Sequence, residues 1–114
     1  MTTYEGILPS GSALQVNDDV VSPDGRYQLI LQSDGNLVLY DGSHKALWAS
    51  NTNNQAVSQC IMQTDGNLVI YGFPGPLWSS KTAGNTESYL RVQDDGNTVI
   101  YHPSPTWATN TRQG

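Results

Sequence analysis

Positive charge is scarce in this chain: five Lys and Arg stand against ten Asp and Glu, for a net charge of −5, and charged residues make up only 13% of the whole. Nucleic acid and anionic membrane surfaces are held by a concentrated positive field, so neither is expected as a partner. Nowhere do apolar residues run for the roughly 20 positions that a membrane-crossing helix needs, and no membrane insertion is expected. The opening Met1-Thr2-Thr3-Tyr4-Glu5-Gly6 has neither a basic n-region nor an apolar h-region. As written, the chain reads as soluble and without an export signal, which suits a cytoplasmic protein, a non-classically secreted one or the mature form of a secreted one. The single cysteine, Cys60, cannot close an intrachain disulfide, and the two histidines show no metal-ligand spacing, so no metal and no cofactor is expected. Helical periodicity is missing as well, since no window of ten or more residues carries apolar positions at a 3.6-residue spacing.

What is present is a repeat. Gln-x-Asp-Gly-Asn-x-Val-x-Tyr occurs at 32–40, 63–71 and 93–101, its first glutamines 31 and then 30 residues apart, and a tryptophan follows each copy: Trp48, Trp78 and Trp107. A fixed period of this size means one supersecondary unit used three times within a single domain spanning residues 1–114. Residues 1–31 hold short apolar runs, such as Ala13-Leu14-Gln15-Val16 and Tyr27-Gln28-Leu29-Ile30-Leu31, separated by Pro, Gly, Asn and Asp. Together these features predict an all-β protein. Each repeat reads as a strand, a tight turn at Asp-Gly-Asn, a second strand, a polar connection and a tryptophan-bearing strand.

Side-chain parity divides the repeat into two faces. A three-residue turn at Asp65-Gly66-Asn67 pairs Thr64 with Leu68, Gln63 with Val69, Met62 with Ile70 and Ile61 with Tyr71, and cross-strand partners point to one side. Met62, Leu68 and Ile70 then face a core, with Leu31, Leu37 and Leu39 in the first copy and Val92, Thr98 and Ile100 in the third. The glutamines, valines and tyrosines face out, beside Arg91 in the third copy. Thr98 stands where the other copies have an aliphatic residue, which predicts poorer packing in that sheet. Gly and Asn suit the positive φ of the turn. Turn chemistry leaves the recurrence of Gln and Tyr on the outer face unexplained. The three indoles are expected to meet near a pseudo-threefold axis, because a unit that cannot bury its own apolar face must stack on its neighbours.

The outer face offers carboxylate and carbonyl acceptors, amide donors, a hydroxyl and an apolar patch, a mixture suited to a sugar. Catalysis is not expected. Glycoside hydrolysis needs two carboxyl groups at a set separation, and each copy brings one motif Asp; Asp94 reads as a solvated turn acid. Cys60 shares the parity of Met62 and reads as a buried, inert thiol, and His44 and His102 as ordinary surface residues.

The triplicate Gln-x-Asp-x-Asn-x-Val-x-Tyr, each copy followed by Trp-Ala/Ser-Ser/Thr-x-Thr, resembles the bulb-type, snowdrop-like mannose-binding lectins of monocots and their fungal, bacterial and fish relatives. The resemblance extends to Ile7-Leu8-Pro9-Ser10-Gly11-Ser12-Ala13-Leu14 and so covers essentially the whole chain. It implies a type II β-prism of three four-stranded antiparallel sheets. It also implies three metal-independent mannose sites, formed by Gln32, Asp34, Asn36, Val38 and Tyr40, by Gln63, Asp65, Asn67, Val69 and Tyr71, and by Gln93, Asp95, Asn97, Val99 and Tyr101. In such sites Asp and Asn hold the axial 2-hydroxyl, Gln the 3-hydroxyl and Tyr the 4-hydroxyl, while Val packs on the ring. Mannosylated glycans or glycoproteins become the implied partners, bound multivalently and without turnover. A homodimer formed by exchange of the C-terminal strand is a further implication. Cys60 occupies the position of one half of a staple seen in plant members, but Gly35 stands at the other, so that disulfide is absent. Lectin-like bacteriocins or other defence toxins, and structural modules that have lost sugar binding, are the alternatives on the same fold.

Overall fold

The computed structural model describes residues 1–102 and 104–113. Its strands, in chain order, are β1 (Thr3–Glu5), β2 (Ile7–Leu8), β3 (Ala13–Gln15), β4 (Asp19–Val21), β5 (Gln28–Leu31), β6 (Leu37–Tyr40) and β7 (Ala46–Ala49), then β8 (Val57–Met62), β9 (Leu68–Gly72), β10 (Gly75–Ser79), β11 (Tyr89–Val92), β12 (Thr98–His102) and β13 (Ser104–Ala108). Each repeat supplies three antiparallel strands, and the N-terminal region supplies the fourth in reverse order. Thus β4 joins β5-β6-β7, β3 joins β8-β9-β10, and β2 joins β11-β12-β13. The three sheets form the prism that the resemblance implies.

The first sheet departs from the expected four antiparallel strands. It has a fifth, β1, which runs parallel to β4 with Tyr4 opposite Val20. Tyr4 packs against the core, and the Thr2 N–H donates to the Asp18 carboxylate at 2.6 Å, so the N-terminal residues are tied down.

Inner-face residues behave as parity predicts. Leu31, Leu37, Leu39, Met62, Leu68, Ile70, Val92 and Ile100 are buried and share one core with Leu8, Leu14, Val20, Leu29 and Leu90. Thr98 is equally enclosed, and among the described residues its Oγ1 has no hydrogen-bond partner. A buried hydroxyl left unpaired costs about 1–3 kcal/mol.

The tryptophans meet as expected. Their ring centroids lie 5.4, 5.5 and 5.7 Å apart and their planes cross at 70°, 80° and 78°, an edge-to-face triangle. Strict alternation along β7 would put Trp48 on the same side as Ala46, which is opposite Tyr40 on the outer face. Instead a bulge intervenes, because Tyr40 pairs with Ala46 and Leu39 with Trp48, leaving Leu47 as the extra residue. The other repeats do the same, with Leu77 and Thr106 as the extra residues. One inserted residue reverses the alternation and turns each indole inward.

Candidate functional site

The hairpin register differs from the expected one by two residues, so the faces survive and the turn boundaries change. Met62 pairs with Leu68, Ile61 with Val69, Cys60 with Ile70 and Gln59 with Tyr71. The three-residue loop is therefore Thr64-Asp65-Gly66, closed by Gln63 N–H to Asn67 C=O at 2.9 Å and Gly66 N–H to Gln63 C=O at 3.0 Å. This is a type I turn followed by a left-handed glycine, a common three-residue hairpin connection. Only the glycine takes positive φ: 94° at Gly35, 93° at Gly66 and 90° at Gly96, whereas none of the three motif asparagines does. Space also demands glycine, since a Cβ at Gly66 would sit 2.1 Å from the Asn85 carbonyl oxygen and one at Gly35 2.6 Å from that of Gln55.

Freed from the turn's φ requirement, the asparagine has another structural task. Asn67 Oδ1 accepts the Ser80 hydroxyl at 3.1 Å and the Thr82 N–H at 3.2 Å. Ser80 Oγ also contacts Thr82 Oγ1 at 2.8 Å and accepts the Leu68 N–H at 3.0 Å, and Thr82 Oγ1 donates to the Gly66 carbonyl at 2.6 Å. The same lattice joins Asn36 to Ser50 and Thr52, and Asn97 to Thr109 and Thr111. The turn of each hairpin is thus fastened to the end of its own tryptophan strand. These Ser and Thr residues escaped the sequence reading as site residues, although the repeated Trp-x-Ser/Thr-x-Thr was a visible signal.

With Oδ1 taken by these Ser and Thr residues, the amide nitrogen of each motif asparagine has no hydrogen bond among the described residues. Beside it, Asp34, Asp65 and Asp95 each accept the N–H of their own motif asparagine through Oδ1, at 2.9, 3.0 and 2.9 Å. In the second and third copies the tyrosine hydroxyl donates to the glutamine Oε1, and the glutamine Nε2 reaches the Asp carboxylate oxygens at 3.1–3.3 Å. In the first copy the amide is rotated by half a turn and Gln32 Nε2 donates to the Tyr40 hydroxyl. The fold thus brings the Gln, Asp, Asn and Tyr of each copy to one outer patch; in the second and third the four are linked by hydrogen bonds, while in the first Gln32 pairs with Tyr40 and Asp34 with Asn36. The valines point to the same side but are almost covered, Val38, Val69 and Val99 being 3% exposed each, so they form a floor rather than a broad apolar surface.

The surroundings of the three patches are not alike. His44 stacks flat on Tyr40, with centroids 4.1 Å apart and planes 6° from parallel, while Tyr89 lies tilted beside Tyr101 at 5.8 Å. Arg112 approaches Asp95 at 3.9 Å. Asp94, expected to be a solvated turn acid, is exposed and also makes two hydrogen bonds: its carboxylate accepts the Asp24 N–H at 2.9 Å, and its carbonyl accepts Arg26 Nη2 at 2.8 Å. Arg26 also pairs with Asp24 at 2.7 Å, and its hydrogen bonds hold the Asp24 carboxyl below the usual carboxylate range. Burial pushes the Cys60 thiol up to about 12, so at neutral pH it is the uncharged core residue that its parity predicts. A cleft of about 300 Å³ lies elsewhere, against Thr3, Glu5, Val21, Ser22, Pro23 and Gly25, and no motif residue lines it. Among the described residues no three His, Cys, Asp or Glu side chains gather as a metal-binding group.

No family model and no curated protein matches the chain. Solved structures do. A monomeric monocot mannose-binding lectin from Gastrodia elata is 40% identical, with 94% of this chain and 98% of that one covered and a TM-score of 0.84. The mannose-specific agglutinin of snowdrop bulbs (Galanthus nivalis), solved with methyl α-D-mannoside, is also 40% identical, with 96% and 99% covered and a TM-score of 0.74. A domain-swapped lectin dimer from Mycobacterium smegmatis is 43% identical, with 89% and 95% covered and a TM-score of 0.56.

Proposed function

The chain belongs to the bulb-type mannose-binding lectin family, and from that premise we propose that it binds mannose and mannose-containing glycans at the three outer patches, without metal and without turnover. One observation carries the reading: the same four polar side chains converge over a valine floor three times, and turn chemistry does not require Gln or Tyr there. Asp34, Asp65 and Asp95 offer Oδ2 as acceptor and Asn36, Asn67 and Asn97 offer Nδ2 as donor, a pair suited to one hydroxyl that gives and takes a proton. The family assigns that hydroxyl as the axial O2 of mannose, with the 3-hydroxyl on Gln and the 4-hydroxyl on Tyr. Glucose carries its 2-hydroxyl equatorially and leaves these groups unpaired, so the sites discriminate between epimers through the cost of unmet hydrogen bonds.

Each open patch is expected to bind weakly, on the order of millimolar, or about 4 kcal/mol. Useful affinity then comes from several patches engaging one branched glycan, whose second contact is intramolecular. Titration with methyl α-mannoside is expected to saturate at millimolar concentration, while the matching glucoside at the same concentration leaves the protein unchanged. Equal responses to the two sugars would overturn the assignment.

Assembly as a homodimer through exchange of β13 is part of the same proposal. The strand lies at the edge of its sheet and pairs with β12 alone, so an identical strand from a second copy could make the same Val99–Ala108 and Ile100–Trp107 pairs. Light scattering at micromolar concentration is expected to return twice the mass of 12.4 kDa, and a monomeric mass would remove exchange from the proposal.

A further inference from the structure

The three patches share their motif residues and differ in the strand beside them. Val38 faces Ile30 and Val69 faces Ile61, but Val99 faces Arg91. Cross-strand partners of this kind stand about 5 Å apart and project to the same side, so at the third patch a guanidinium occupies the position of an aliphatic side chain. On its far side Arg91 pairs with Ile7, and its neighbours two positions away are Tyr89 on β11 and Gln93 just beyond the strand's end. No carboxylate stands across from it, and among the described residues Arg91 makes no ion pair. The nearest motif acid, Asp95, already has Arg112 at 3.9 Å, while the Asp94 carboxylate bonds the Asp24 N–H.

An exposed, uncommitted guanidinium beside a sugar floor is a ready partner for an anion, because its fixed fork of donors matches a carboxylate or phosphate two bonds at a time. Resting on the sugar-binding reading above, we infer that the third patch accepts a mannose-type ring bearing an anionic substituent, phosphate or carboxylate, with Arg91 holding the anion. The first two patches, with Ile30 and Ile61 in that place, take neutral rings. The contact must be local, since the whole protein carries −5 and repels anions at a distance.

The test follows the side-chain amide resonances of Gln32, Gln63 and Gln93 while methyl α-mannoside, mannose 6-phosphate and methyl α-mannosiduronate are titrated separately at low ionic strength. The Gln93 signals are expected to report at least one anionic sugar binding about three- to fivefold tighter than methyl α-mannoside, the scale of one exposed ion pair. The Gln32 and Gln63 signals should report no such preference. In Arg91→Ile the affinity ratio at Gln93 should fall to about one, while Arg91→Lys should keep part of it. A preference for the phosphate alone, or for the uronate alone, names the anion and upholds the inference. No preference at Gln93, or one that survives Arg91→Ile, overturns it. If methyl α-mannoside itself moves none of the three glutamines, the sugar-binding reading fails and this inference falls with it, a result distinct from the loss of preference alone.

Discussion

Trp78→Ala is expected to lower the unfolding free energy by about 3 kcal/mol, read as a lower urea midpoint at unchanged slope. The residue is half-buried, which places it at the modest end of the usual range for Trp truncation. Its position raises the cost again, because the indole meets Trp48 at 5.4 Å and Trp107 at 5.7 Å in edge-to-face contacts. Each such contact adds about 0.5–1.5 kcal/mol to plain area burial. Because each corner of the triangle comes from a different sheet, removing one loosens the contact between sheets rather than one hairpin. Domains of this size are stable by only about 5–15 kcal/mol, so the loss is a large fraction of the total. Trp48→Ala and Trp107→Ala are expected to behave alike. A midpoint unchanged in Trp78→Ala would mean that the indoles are neighbours without being a keystone.

The second large effect separates two tasks carried by one asparagine. Asn67→Ala deletes the acceptor for the Ser80 hydroxyl and the Thr82 N–H, both on residues that are 7% exposed. Leaving the Thr82 N–H unpaired, with the Ser80 hydroxyl reduced to its contact with Thr82 Oγ1, is expected to cost about 1–3 kcal/mol, in addition to the loss of sugar binding at the second patch. Asn67→Asp keeps an oxygen for the same two donors and replaces the amide donor by an acceptor. It is expected to retain most of the stability while the second patch loses methyl α-mannoside binding by more than tenfold, which is about 1.4 kcal/mol or more. Making the aspartate change at Asn36, Asn67 and Asn97 together should abolish the response. Binding that persists in this triple variant would show that the asparagine amide does not contact the sugar.

The outer patches were legible because they repeat. Gln63, Val69 and Tyr71 recur with their partners at the same spacing, and alternation alone puts them opposite Leu68 and Ile70. The role of Asn67 was misread for a physical reason: asparagine tolerates positive φ, so a turn sufficed to explain it, and the real need for its Oδ1 arises from Ser80 and Thr82 on another strand. The loop boundaries slipped by two residues without disturbing the faces, because a shift of two preserves parity. The bulges at Leu47, Leu77 and Thr106 left no mark in the pattern, since one extra residue in a strand reads as ordinary alternation until its partner strand is known. The contrast between Ile30, Ile61 and Arg91 was printed in the chain, but it acquired meaning only beside Val38, Val69 and Val99.

The amino-acid sequence by itself determined the threefold unit, the division of each hairpin into a core face and a ligand face, and the meeting of three tryptophans. These follow from short-range rules, the two-residue period of a strand and the φ of a glycine turn, and from the need of each unit to bury its apolar side. Tertiary structure alone decided that β4, β3 and β2 close the first, second and third sheets in that order, and that β1 adds a fifth strand to the first. It also decided that bulges turn the indoles inward and that Arg91 borders only the third patch. Those outcomes depend on which distant strand supplies the hydrogen bonds of an edge, a choice made by the packing of the whole prism and by no local run of residues.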